Sequence, residues 1–449
     1  MYLMIQNKGI APVEAFTLLG ASTSRGTSNI GQFGTGTKHA INLLLRERID
    51  FRVYSGTDKI DFTSVDSDFK GKTVTKVTYS LNGRKPRDTG WTLDWGALDW
   101  DHVSMAVREF VSNAIDDTPN WKDAIVSGDL NVEIVQTPRA KEGYIRVFIA
   151  LTDGVREYFD NLPMYFLHFH DPSLLDSTVL EKINVGTKAR VYRRGVFVRE
   201  LAGAESMYDY NVEITLNDCR NSSDYACRAA IAEVITHASG CVKSTLLRAL
   251  VSGAVRLEFA LDEWYLTSNM SDLDKRSWVT AWESIGGGVA VEKSDIIATH
   301  LKRKGHRAVA VPSASMLLTL EKAGVKTAAQ ALGDGPMIEP APITYHAIGS
   351  LNSEWDRLTE LGMTFQMAKP RLECFSSIVN AEASVPGEYK DGCVYIQSDV
   401  ADSPGPILNK VMFEELVHHI TQSGDCSRDF QSFLIDVVFA ERKLSNAVC

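Results

Sequence analysis

Two stretches of this sequence carry side chains that could do chemistry together. In the first, Gly31, Gly34 and Gly36 fall within six positions and run into a segment whose apolar residues Ala40, Ile41, Leu44 and Leu45 recur at helical spacing. Such a turn suits a phosphate group, because glycines let the backbone come close and the helix N-terminus adds positive potential. Lys38, just inside, adds a point charge. In the second stretch Val103, Ala106, Val107, Phe110, Val111, Ala114 and Ile115 make the apolar stripe of a helix. Glu109, Asn113 and Asp116 then share an arc of roughly 60° on its flank. An amide beside carboxylates offers oxygen ligands to Mg²⁺, which also binds substrate phosphates. Glu109, one turn before Asn113, is placed to orient or deprotonate an attacking water.

The glycine turn is not a P-loop. Thr37 separates Gly36 from Lys38, where GxxxxGK[ST] needs them adjacent, and the preceding GASTSRGTSN is polar rather than a buried strand. The elements that must position both stretches read as follows. Tyr2 to Gln6 is a short apolar run, and a helix-like segment starts near Pro12. Asp50 to Ser55, Lys59 to Val65 and Thr73 to Leu81 are β-branched runs punctuated by turns, which predicts an antiparallel meander. A tryptophan-rich loop, Trp91 to Trp100, leads into the second helix.

Further on, Arg190 to Val198 and Asn211 to Leu216 read as strands and Asp224 to Leu250 as one long helix. Helix-like and strand-like pieces alternate over 255–335, which predicts a small α/β domain with a partly parallel sheet. Gly286-Gly287-Gly288 reads there as a flexible turn, and Gly333 to Pro342, with three prolines, as a linker.

Length, at 449 residues, calls for several domains, and 44% hydrophobic with 23% charged residues is ordinary globular composition. The net charge of −10 argues against a general nucleic-acid surface, and Lys302 to Lys304 reads as a solvated helix face. Seven cysteines, all from Cys219 onward and without a CxxC pair, fit a reducing compartment. No signal-peptide pattern opens the chain and no apolar stretch approaches eighteen residues, so the expectation is a cytoplasmic protein with no membrane span.

Taken together, Gly31-Gln32-Phe33-Gly34-Thr35-Gly36 and Arg108-Glu109-Phe110-Val111-Ser112-Asn113-Ala114-Ile115-Asp116-Asp117 resemble the GHKL ATPases. That family shares the Bergerat nucleotide-binding fold, an α/β sandwich, with a GxxGxG turn and an E-x-x-x-N helix. The resemblance implies ATP and Mg²⁺ as cofactors, Glu109 as catalytic base, Asn113 as Mg²⁺ ligand with Asp116 beside it, and Gly31, Gly34, Gly36 and Lys38 around the phosphates. It also implies a lid near Ser22 to Asn29. The order here is reversed relative to the family, as a circular permutation would give, since neighbouring termini tolerate such cuts. The family's DxGxG aspartate, which reads adenine, corresponds to Asn7, followed by Gly9, and Asp153-Gly154 is the alternative. An amide oxygen can still accept from the adenine amino group.

In the C-terminal part, Glu414-Glu415-Leu416-Val417-His418 resembles the zincin metalloprotease motif H-E-x-x-H with glutamate for the first histidine. The resemblance implies Glu415 as base, His418 and Glu414 as zinc ligands and Asp425 as a third. The strand-like Cys393 to Gln397 suits that arrangement.

The expectation is therefore an α+β, α/β multidomain protein. Residues 1–250 form a permuted GHKL-type domain, 251–340 a small α/β domain and 341–449 a zincin-like domain. The implied function is slow Mg²⁺-dependent ATP hydrolysis controlling downstream domains through an unknown protein partner, with homodimerisation as the family's habit. A zinc-dependent hydrolase regulated by the N-terminal half, or a non-enzymatic interaction protein retaining both folds, are the alternatives. The pairing of these two resemblances is similar to large proteins of tailed bacteriophages, which would place the chain in a host cytoplasm.

Overall fold

The computed structural model describes residues 1–18, 30, 34–96, 99–183, 186–217, 219–292, 297, 298, 301, 302, 304–332, 340–376, 378–380, 383–403, 405–425 and 427–447. Gly31 and the lid segment Ser22 to Asn29 lie outside these residues. The protein is mixed α+β and divides into two compact units. The first spans Met1–Ile235 with Arg256–Tyr265, and the second Thr236–Val255 with Leu266–Cys449.

Seven strands build the main sheet of the first unit: β1 (Tyr2–Lys8), β2 (Phe51–Ser55), β3 (Asp58–Phe69), β4 (Lys72–Leu81), β5 (Arg87–Thr92), β6 (Asn131–Val135) and β7 (Tyr144–Ala150). Their order is β5-β4-β3-β2-β7-β1-β6, with every neighbouring pair antiparallel. The meander β2–β4 is thus as the alternation predicts. At the β4–β5 connection Asn82 and Gly83 both take positive φ (52° and 71°), the conformation that an Asn-Gly pair tolerates.

The first-unit helices are α1 (Glu14–Thr17), α2 (Gly36–Arg46), α3 (Val103–Asp116), α4 (Trp121–Ser127), α5 (Asp153–Asp160), α6 (Leu162–Tyr165) and α7 (Asp224–Thr236). The stripe from Ala106 to Ile115 on α3 and Ala40 to Leu44 on α2 join Leu3, Ile5, Val53, Val147 and Ile149 of the sheet in one core. Leu3, Ile5 and Asn7 alternate onto that same helix-covered face of β1.

α2 also fixes the tryptophan-rich loop from its polar side. Asn42 Nδ2 donates to the Thr92 and Trp95 carbonyls and its Oδ1 accepts from Trp91 Nε1. Arg46 donates to the Leu93 and Trp100 carbonyls, and His39 stacks on Trp95 and Trp100. Positions 39, 42 and 46 share one helix face, so a single face binds the whole loop.

A second sheet in this unit, ordered β10-β9-β11-β8, holds β8 (Val179–Leu180), β9 (Arg190–Arg193), β10 (Val196–Glu200) and β11 (Asp209–Asn211). The strand expected over Asn211 to Leu216 stops at Asn211; residues 212–217 are neither strand nor helix. The long helix expected over Asp224 to Leu250 is broken. α7 ends at Thr236, and a new helix begins at Gly240, capped by Ser239, whose Oγ accepts from Val242 N. Serine there satisfies an orphan amide, so breaking is favoured over continuing.

In the second unit strands Val289–Val291 and Ala308–Ala310 pair in parallel, as the βα rhythm predicts. A Cβ on Gly287 would sit 2.5 Å from the Trp282 carbonyl oxygen, and one on Gly288 2.2 Å from that of Arg307. The glycines therefore serve backbone packing. The C-terminal sheet runs Pro340–Ala341, Arg371–Phe375, Cys393–Gln397, Gly387–Lys390, so the end of the stretch read as a linker is an edge strand. Helices Tyr345–Glu360, Pro406–Thr421 and Arg428–Ala447 complete its core. Among the described residues no helix is long and apolar enough to cross a membrane.

Candidate functional site

α2 and α3 pack side by side, and their contact brings the two sequence stretches together. Gly36, the first residue of α2, lies against the Glu109 carboxylate: a Cβ there would be 2.0 Å from Glu109 Oε1. Only glycine fits. One turn along α3, Asn113 Nδ2 donates to Thr37 Oγ1 at 2.8 Å. A further turn along, Asp116 Oδ1 accepts from the Ile30 amide at 2.7 Å. The three polar residues of the α3 flank thus meet the turn and the first residues of α2 in sequence. The N-cap residue of α2, Thr35, makes no side-chain capping hydrogen bond among the described residues.

Glu109 is only 4 % exposed, and its counter-ion is Arg220, to which no sequence motif points. Arg220 Nε donates to Glu109 Oε2 at 2.7 Å and Nη2 to Oε1 at 3.1 Å, a two-pronged pair, while Nη1 donates to the Ile30 carbonyl at 2.9 Å. Burial alone would raise the Glu109 carboxyl, but Arg220, helped by Arg108 and His39, outweighs it and holds the group below its ordinary value.

Arg220 sits in the loop between β11 and α7. Asn217 organises that loop, its Oδ1 accepting from the Cys219 and Asn221 amides. Arg220 itself takes φ of 56°, a left-handed conformation that costs a non-glycine residue about 1 kcal/mol, so the loop is held in shape against its own preference. Arg108 Nη2 donates to the Cys219 carbonyl and ties the same loop to α3. An Asn-rich polar turn between a strand and a helix was the only signal in the sequence. The partnership of residues 109 and 220 depends on tertiary structure alone.

The remaining N-terminal candidates are placed as follows. Lys38 is buried, and its Nζ donates to the Ala15 and Gly34 carbonyls, which ties the glycine turn to α1. Burial lowers its pKa, with Glu109 pulling the other way. Gly34 takes φ of 67°. Asn7 is 4 % exposed at the end of β1, and its Nδ2 has no hydrogen-bond partner among the described residues. Gly9 follows it at φ 131°, its amide donating to Gly143 O. Asp153 is exposed on the first turn of α5. Gly154 beside it lies against Val103, at the opposite end of α3 from Asn113, roughly 15 Å along the axis.

At the C-terminal site the helix Pro406–Thr421 buries Glu415 and exposes Glu414. Gly387 of the edge strand faces Glu415: a Cβ there would lie 3.1 Å from Glu415 Oε1. Burial, reinforced by Glu414, Glu388 and Asp425, pushes the Glu415 carboxyl up to about 8. His418 Nε2 pairs with Asp425 Oδ1 at 2.9 Å, and its Nδ1 lies 2.7 Å from the Ser423 carbonyl oxygen. Both ring nitrogens are therefore engaged within the chain. Among the described residues no three of His, Cys, Asp and Glu converge as a metal ion would need.

No protein-family model matches the sequence, and comparison with curated proteins finds no match.

Proposed function

We propose that the first unit binds ATP with Mg²⁺ and hydrolyses it slowly, as a Bergerat-type domain in permuted order. The observation that carries this reading is the fit of Gly36 against Glu109. A glycine turn and an acidic helix flank far apart in sequence meet at the N-terminus of α2, where anions are favoured.

The residues present fit the nucleotide and its cation. With Nδ2 of Asn113 committed to Thr37, the group it has left is its Oδ1 acceptor, the atom a cation takes, and Asp116 adds a carboxylate one turn on. Bound Mg²⁺ would neutralise charge on the phosphate oxygens. Gly34, at φ 67°, lets the phosphates approach the backbone, while Gly36 makes room for the Glu109 carboxylate. Glu109 accepts the proton of the attacking water once it is released from Arg220. Asn7, a buried amide with an unpartnered donor on the sheet face covered by the helices, reads the base; Asp153, at the far end of α3, does not.

For residues 341–449 we propose a zincin-like arrangement without zinc chemistry. Burial and the neighbouring carboxylates raise the Glu415 carboxyl, and His418 is engaged by Asp425 and the Ser423 carbonyl.

Turnover of ATP by the full chain, beside Asn113→Ala and Glu109→Ala, tests the main reading. Asn113→Ala should lose Mg²⁺-dependent binding, and Glu109→Ala should lose turnover. A native chain that binds no nucleotide contradicts it and leaves a non-enzymatic role.

A further inference from the structure

The proposed base and the proposed phosphate site share one cation, and this has a consequence for which nucleotide the site prefers. Arg220 is 7 % exposed and spends its guanidinium on Glu109 and on the carbonyl of Ile30. The same planar fork matches a phosphate as well as it matches a carboxylate. Glu109 lies against Gly36 at the mouth of α2, so a terminal phosphate arriving at that helix end comes up beside the pair. Lys38 is not available as a substitute in this arrangement, since its Nζ is turned onto the Ala15 and Gly34 carbonyls.

Resting on the nucleotide-site reading above, we propose that the Glu109–Arg220 pair is a triphosphate discriminator. The terminal phosphate of a nucleoside triphosphate takes Arg220 from Glu109, whereas a diphosphate leaves the pair intact. Two things follow from one exchange of partners. Glu109 becomes a free carboxylate only when there is a terminal phosphate to be attacked, so the base is withheld from the diphosphate state. The loop between β11 and α7, which Asn217 and Arg108 hold around Arg220, is pulled by the same exchange. Arg220 is here a positioning residue, acting through Glu109 and through its loop.

The pair lowers triphosphate affinity, because part of the binding energy goes to breaking it; a binding-competent state that must first be opened weakens the apparent constant in proportion. Replacing the carboxylate by an amide of the same shape removes that competition. Glu109→Gln should therefore bind a non-hydrolysable ATP analogue about tenfold or more tightly than the native chain, with ADP affinity changed less than about twofold. Relief of charge repulsion alone would also tighten triphosphate binding in Glu109→Gln, but it would do so equally when Arg220 is replaced. In Arg220→Gln the triphosphate should bind more weakly, and the double variant should bind it no more tightly than Arg220→Gln alone.

A second measurement uses the native chain. Cys219, next to Arg220, is half-buried, with its Sγ 3.4 Å from the Asp99 carbonyl oxygen, and Cys241 is exposed and serves as internal control. The ATP analogue should change the Cys219 alkylation rate by about threefold or more while ADP leaves it unchanged. If the analogue binds, Glu109→Gln binds it no better than the native chain does and Cys219 does not respond, the discriminator is wrong while the nucleotide site stands. If the native chain binds neither nucleotide, the nucleotide site itself fails and the discriminator falls with it.

Discussion

Glu415 should make the second unit lose stability as pH rises, and the size of the effect can be worked from its surroundings. The carboxyl is 7 % exposed, and burial with Glu414, Glu388 and Asp425 nearby raises it from 4.5 to about 8. A carboxyl raised on folding binds more protons in the native state than in the unfolded one. Its contribution is therefore fully present below pH 4.5 and is lost as pH climbs through 8. At 1.36 kcal/mol per unit, the loss between pH 5 and pH 8 is on the order of 3–4 kcal/mol. Glu415→Gln keeps the shape and removes the titration. The assay is amide exchange over the helix Pro406–Thr421 in both proteins at both pH values, because intrinsic exchange cancels in their ratio. Native protection should fall relative to Glu415→Gln by a factor of about 100 or more from pH 5 to pH 8. Parallel behaviour of the two proteins would refute the buried neutral carboxyl.

Three further outcomes follow from the same geometry. Gly36→Ala puts a methyl 2.0 Å from Glu109 Oε1, so thermal unfolding should show a loss of about 1–3 kcal/mol, and calorimetry a loss of ATP binding. Arg220→Ala leaves a buried carboxylate unpaired and should cost about 3–5 kcal/mol in denaturant unfolding, whereas the double variant with Glu109→Ala should cost clearly less than the sum of the two singles. Ser239→Ala removes the cap that starts the helix Gly240–Val251 and should cost about 1 kcal/mol, read by the same method.

What could be read in the sequence was what local periodicity encodes. The meander β2–β4, the α3 helix and the start of α2 all follow from alternation, helical spacing and glycine placement. The flank Glu109, Asn113 and Asp116 was visible for the same reason. Sheet order was not legible, because the position of β1 between β7 and β6 depends on pairings over more than a hundred residues. The break between α7 and the next helix is hidden in the sequence because the helical pattern resumes after Ser239, and the cap outweighs a continuous pattern. Arg220 was invisible: nothing in Asn217 to Ser222 records that a buried carboxylate waits at residue 109. The turn predicts Lys38 beside the phosphates, while its contact with the Ala15 carbonyl depends on tertiary structure.

The central claim is most directly tested by titrating the full chain with ATP by calorimetry, with Mg²⁺ and with EDTA, beside Asn113→Ala. The account predicts saturable binding by the native chain that weakens at least about tenfold without Mg²⁺ and is lost in Asn113→Ala. Binding indifferent to both Mg²⁺ and Asn113, or no binding at all, would contradict it.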